Sequence, residues 1–180
     1  DGGVEWTDQD GEAVYSVANR SPRYVVGGMI AANTFGLFYA AMDSTPAIQT
    51  LEFSYTTDYG ATYTRVTAYS GSDVINPHSW YVNGSTIHDY GPRVQSTWRI
   101  TSTAPGLTWG SPVEVVEETV AFAQLREPAV SRCDSNPLHL LMLIRKDAGG
   151  NAGASRSTDG GATWSAVIDS GFPLGVNPPA

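Results

Sequence analysis

The chain has 180 residues, 41% of them hydrophobic, with 18 acidic and 10 basic side chains and a net charge of −8. Nine of the ten basic residues are arginine and Lys146 stands alone, so the basic footprint that nucleic-acid binding requires is missing. One cysteine, Cys133, excludes an internal disulfide and a thiolate metal site, and no apolar run approaches the ~18 residues of a membrane helix.

The first residues, "DGGVEW", carry neither an initiator Met nor a basic-then-apolar leader, so the numbering is expected to begin inside a longer or processed polypeptide. Strand-like runs follow at 24–32 ("YVVGGMIAA"), 36–43 ("GLFYAAMD") and 51–57 ("LEFSYTT"). A turn rich in Thr, Asp and Gly comes next, and then "TYTRVTA" at 62–68. The same series recurs as "EPAVSR" at 127–132, "LHLLMLIR" at 138–145 and "GASRST" at 153–158, with "TWSAVID" at 163–169. Helical periodicity is sustained nowhere, and the chain reads as all-β.

The two turns share the spelling Ser/Thr-x-Asp-x-Gly-x-Thr-Trp/Tyr. One copy is Thr56, Asp58, Gly60, Thr62 and Tyr63; the other is Ser157, Asp159, Gly161, Thr163 and Trp164. A weaker copy keeps Ser102, Gly106, Thr108 and Trp109 but has Ala104 at the Asp position, and "DGGVEW" matches the tail of a further one. The Asp positions fall at 1, 58, 104 and 159, intervals of 57, 46 and 55 residues, which suit four short strands with their turns. The chemistry is that of a self-fastened hairpin. Glycine tolerates φ > 0, Asp and Ser/Thr oxygens accept backbone N–H bonds, and the closing aromatic anchors the outgoing strand.

In this pattern the chain resembles the sialidase superfamily of β-propellers, whose Asp-box or bacterial neuraminidase repeat has the same spelling; tail-spike endosialidases of phages are similar. The resemblance implies an all-β partial propeller of about three to four blades, each of four antiparallel strands, in units 7–67, 68–116 and 117–170. Propellers close with ~4–8 blades, so further sequence is expected to complete the ring. A second likeness lies in "REPAVSRCDSNPLHLLMLIRKD", which resembles the family segment where a Glu precedes a strand ending in an active-site Arg. It implies that Arg145 grips a substrate carboxylate and that Glu127 polarises a Tyr nucleophile; the plain alternatives are a solvated strand end for Arg145 and, for Glu127, an ion pair with Arg126, Arg132 or Arg145. The family's Arg-Ile-Pro motif, a third Arg segment and an identifiable nucleophilic Tyr are missing from this sequence.

Arg145 lies 14 residues before Asp159, and the same offset before the other Asp positions falls on Ser44 and Tyr90. With a residue or two of slip, Asp43, His88, Asp89 and Tyr90 are expected to gather with Arg145 on one face. Asp43 is either a general acid for glycoside cleavage or the lead residue of an ordinary turn. His78, His88, Tyr90 and Arg93 are candidate sugar contacts, each with a bland alternative as a solvated or packed side chain. Asp58, Gly60, Thr62, Gly106, Trp109, Ser157, Asp159, Gly161, Thr163 and Trp164 are assigned to structure.

The three His and one Cys supply no ligand pair at recognised spacing, "DAGGNAG" at 147–153 lacks the alternating carboxylates of a Ca²⁺ loop and the Lys-Ser/Thr of a phosphate loop, and no Gly-x-Ser-x-Gly elbow occurs. No metal and no cofactor are expected. Two functions remain open. One is glycan recognition with hydrolysis of sialic-acid-like sugars on cell surfaces. The other is a non-catalytic receptor-binding or structural module, for example in a phage tail fibre or spike. Cell-surface carbohydrate is the expected partner, with other virion or oligomer subunits in the second case. Neither reading involves nucleic acid or membrane insertion, and both place the chain outside the cell, secreted or on a virion tail.

Overall fold

The computed structural model describes residues 20–43, 49–71, 76–93, 96–103, 108–117, 119, 125–146 and 150–173. The described residues form three antiparallel sheets and contain no helix. The first sheet is β1 (Arg20–Ala31), β2 (Thr34–Asp43), β3 (Gln49–Thr56) and β4 (Thr64–Gly71), in chain order. The second is β5 (Ser79–Asn83), β6 (Thr86–Arg93) and β7 (Ser96–Thr103), with β8 (Thr108–Trp109) and β9 (Val113–Val116) both paired to β7. The third is β10 (Leu125–Arg132), β11 (Leu140–Lys146), β12 (Asn151–Ser157) and β13 (Ile168–Pro173).

Where the sequence suggested one outer strand in the second unit, the sheet has two short ones. Gly110 N donates to Thr101 O at 2.9 Å, and Pro112, which has no N–H to donate, separates β8 from β9. The weak turn at 104–107 and the opening "DGGVEW" lie outside the described residues, and so does Gly106.

Period-two patterning fixes the packing. In β11, Leu140, Met142 and Ile144 are fully buried while Leu141 and Leu143 are only half-buried. One apolar cluster lies between the first and second sheets: Phe38, Leu51, Phe53, Ile87 and Ile100, ringed by Trp80, Trp98 and Trp109. Phe38 sits edge-on to Trp109 with centroids 4.6 Å apart, and 4.8 Å from Phe53. Gly28 lets the Trp80 ring lie against β1, because a Cβ there would meet it at 2.9 Å. A second cluster, with Tyr90, Leu125, Met142 and Ile144, joins the second sheet to the third. Burial of each such side chain contributes roughly 1.5–3 kcal/mol. Polar links reinforce it: Val130 N donates to Ser79 Oγ at 2.9 Å, and Tyr81 Oη donates to Pro137 O at 2.7 Å.

The two patterned turns are closed by the same bonds. In one, Ser157 Oγ donates to Asp159 Oδ1 at 2.8 Å, Gly161 N donates to Ser157 Oγ at 2.8 Å, and Thr163 gives its N–H (2.9 Å) and hydroxyl (2.6 Å) to the Asp159 carboxylate. In the other, Thr56 Oγ1 donates to Asp58 Oδ1 at 2.7 Å, Gly60 N donates to Thr56 Oγ1 at 2.9 Å, and Thr62 supplies the N–H (2.9 Å) and hydroxyl (2.6 Å). Each turn follows the third strand of its sheet. Ser157 pairs with Leu140 at the start of β11, and Thr56 pairs with Phe35 near the start of β2. The turns therefore lie at the opposite end of their sheets from Asp43 and Arg145.

These donors hold both carboxyls low. The Thr163 hydroxyl and N–H, then Ser157, lower Asp159 from 3.8 to about 2, and the Thr62 hydroxyl and Thr56 do the same for Asp58. Because the folded values are depressed, this stabilisation is complete above the unfolded value of 3.8 and is lost as pH falls through about 2. An Asp58→Asn/Asp159→Asn variant is expected to melt lower than wild type at neutral pH and to show a shallower fall in Tm between about pH 5 and pH 2. Melting curves that stay parallel across that window contradict the assignment.

Candidate functional site at the inner ends of the sheets

The sheets meet through their first strands: β1 lies against β5, and β10 lies against β5, β6 and β7. In β10, Leu125 and Arg126 pair with Lys146 and Arg145, the register then slips, and Pro128 pairs with Ile144. Glu127 is the extra residue and takes φ 47°, in the left-handed region that side chains other than glycine rarely adopt. Pro128 is tolerated because β10 is an edge strand with a bulge at that point.

The bulge brings Glu127 to Arg145. Arg145 Nε donates to Glu127 Oε2 at 2.6 Å and Nη2 donates to Oε1 at 3.1 Å, a two-point ion pair. The side chains remain 22% and 45% exposed, so a ligand in solvent reaches both. His78, just before β5, donates its backbone N–H to Tyr90 O at 3.0 Å and is half-buried. Burial lowers its pKa, while Glu127 acts in the opposite sense and Arg145 lowers it further. The Val130–Ser79 bond holds β10 against β5 three residues from Glu127, so the second and third sheets bring His78, Glu127 and Arg145 into one neighbourhood.

His88 and Tyr90, expected on this face, lie elsewhere. They are 7% and 0% exposed, stacked ring on ring at 6.2 Å, with Tyr90 edge-on to Trp164 at 5.8 Å. Both belong to the packing between the second and third sheets, and a sugar reaches neither without parting them. Burial, helped by Arg99, pushes His88 down to about 4, which keeps the imidazole neutral at pH 7. Asp89 between them is also fully buried, and burial pushes its carboxyl well above the usual carboxylate range. Arg93 ends β6, with its guanidinium 4.5 Å from the Trp98 ring and 5.6 Å from that of Tyr69. Asp43 ends β2 with its backbone paired to Arg20, and its side chain lies outside the described residues. Among the described residues no group of three or more His, Cys, Asp or Glu is placed to hold a metal ion.

No protein-family model and no curated protein matches the chain. Solved structures do. A Hadza microbial sialidase superposes with a TM-score of 0.65 at 13% identity, covering 84% of this chain and 34% of its own. The fold is that of a sialidase-like β-propeller. An α-L-arabinanase of Penicillium chrysogenum matches with a TM-score of 0.60 at 14% identity, over 88% of this chain and 50% of its own. A GH93 α-L-arabinofuranosidase of Fusarium graminearum gives 0.55 at 15%, over 70% and 42%. The sialidase-like propeller described here therefore spans about a third to a half of these solved chains. Its three sheets form a partial propeller, and the His78–Glu127–Arg145 cluster sits at the inner ends of the second and third blades.

Proposed function

We propose that the chain recognises carbohydrate at the inner ends of its blades, with Arg145 as the anchor. The observation that carries this reading is the two-point Glu127–Arg145 pair, built at a strained bulge and left open to solvent. An ion pair needed only for stability gains little at such exposure, about 0–1 kcal/mol. A guanidinium fixed at two points by the Glu127 carboxylate and partly open to solvent is instead pre-oriented toward an anionic or hydroxyl-rich edge, which suits a carboxylate-bearing sugar of the sialic-acid type. The structural neighbours, by name a sialidase, an arabinanase and an arabinofuranosidase, support a glycan as the ligand class. Extracellular or cell-surface glycan is the corresponding partner.

Hydrolysis is the stronger form of this reading, with Glu127 supporting the nucleophile. Recognition without turnover is the second reading, and the geometry of Glu127 favours it. Its carboxylate accepts both guanidinium bonds, an arrangement that orients a cation rather than delivering a proton.

A glycan array carrying sialosides, arabinans and β-1,3-galactans, read beside fluorogenic glycosides of the same sugars, tests both. Retention of an acidic glycan that disappears in Arg145→Ala is expected. Turnover abolished in Glu127→Gln selects the hydrolase; retention without turnover selects the binding module. An array on which the wild type retains no glycan contradicts the proposal.

A further inference from the structure

The inner strand of the first sheet also reaches this cluster, through a residue with no mark in the sequence. Along β1, Arg23 pairs with Ala40 and Val26 with Phe38, so Tyr24 and Val25 together oppose the single residue Tyr39. At this bulge Tyr24 takes φ 55°. An aromatic residue in the left-handed region is a genuine outlier, and such strain persists where the surrounding structure imposes it, often at ligand clamps. Tyr24 is 44% exposed, and its ring centroid lies 5.3 Å from that of His78 with the planes at 47°. Core packing does not account for a strained ring left this open. Glu127 repeats the device on β10, with φ 47° at a bulge. The bulge on the first inner strand thus sets Tyr24 against His78 of the second sheet, and the bulge on the third sets Glu127 against Arg145.

We propose that Tyr24 is the stacking residue of this site, receiving the C–H face of a saccharide ring whose polar edge is turned to the Glu127–Arg145 pair. The inference rests on the carbohydrate reading of the same cluster and specifies the ligand further: a glycosyl unit with both a flat apolar face and an anionic or hydroxyl-rich edge. Tyrosine suits this contact because its ring gives a large, stiff apolar surface while the hydroxyl stays in water. A second ring, His78, closes the wall beside it.

The test compares wild type with Tyr24→Phe, Tyr24→Ala, Tyr24→Gly and Arg145→Ala. Each is titrated calorimetrically with the glycan that the wild type retains from the sialoside, arabinan and β-1,3-galactan array. Tyr24→Phe is expected to bind within about twofold of wild type, and Tyr24→Ala and Tyr24→Gly at least about tenfold more weakly. Tyr24→Gly is also expected to raise Tm, since glycine adopts φ > 0 without steric cost, so stability and affinity move in opposite directions. A purely structural tyrosine does not separate the two. Wild-type affinity in Tyr24→Ala or Tyr24→Gly, alongside loss in Arg145→Ala, overturns this inference and leaves the carbohydrate reading standing. An array on which the wild type retains nothing overturns both.

Discussion

Arg145→Ala is expected to weaken glycan binding by ~30- to 1000-fold while leaving the fold intact. A desolvated, two-point charged contact is worth about 2–4 kcal/mol to binding, and each 1.4 kcal/mol is about a tenfold change in Kd. The cost to the free protein is small, because the Glu127 side chain left behind is 45% exposed and rehydrates. The stability change is therefore expected to stay within ~1 kcal/mol. Arg145→Lys is the informative intermediate. It keeps the charge but loses the planar fork that meets Glu127 at 2.6 and 3.1 Å, and its affinity should fall between wild type and alanine. Calorimetric titration of the three proteins checks the order. Equal affinities contradict the placement of the ligand at Arg145.

The second large effect concerns stability. Gly161 stands at φ 88° in the turn after β12, and a Cβ there would run into the hydroxyl of Tyr90 and lie 3.4 Å from Leu140. Tyr90 is fully buried and belongs to the apolar cluster between the second and third sheets, so it has little room to give way. Arg99 also donates to the carbonyl of Gly161 from β7, which ties the same turn to the second sheet. Gly161→Ala combines a left-handed backbone penalty with overpacking, each about 1–3 kcal/mol. A total near 3 kcal/mol lowers Tm by roughly 6–12 °C in a chain of this size. Gly84→Ala is the control: φ is 58° there, yet nothing lies within 4 Å of the added carbon. It should lose only the backbone penalty, about 1 kcal/mol. Equal losses in the two variants contradict the claim that this turn is wedged against the neighbouring sheet.

What could be read in advance followed from how local each cause is. The turn at 157–164 was legible because its donors and acceptors all lie within one hairpin: Ser157, Asp159, Gly161 and Thr163 satisfy one another. The Glu127–Arg145 pair was legible only as the plain alternative to a catalytic Glu127, and the register of β10 and β11 explains it, since Arg126 and Arg145 are direct partners. His88 and Tyr90 were misplaced for a simple reason. An offset counted from a turn identifies a place along a strand but not what covers it, and β6, between β5 and β7, is buried on both faces from Ile87 to Pro92. The bulge at Tyr24 left no mark, because it depends on how β1 meets β2 and not on any residue type within "RSPRYVVGG". The division of the second sheet's outer edge into β8 and β9 was foreshadowed only by Pro112.

The account depends on a single ligand-binding end of the blades, remote from the patterned turns. The most direct measurement is NMR of the ¹⁵N-labelled protein titrated with its retained glycan, following the Arg145 Nε–H resonance together with the backbone amides of Gly161 and Thr163. The account predicts saturable shifts at Arg145 and none at the two turn amides. Saturable shifts at Gly161 and Thr163, with Arg145 unchanged, would contradict it.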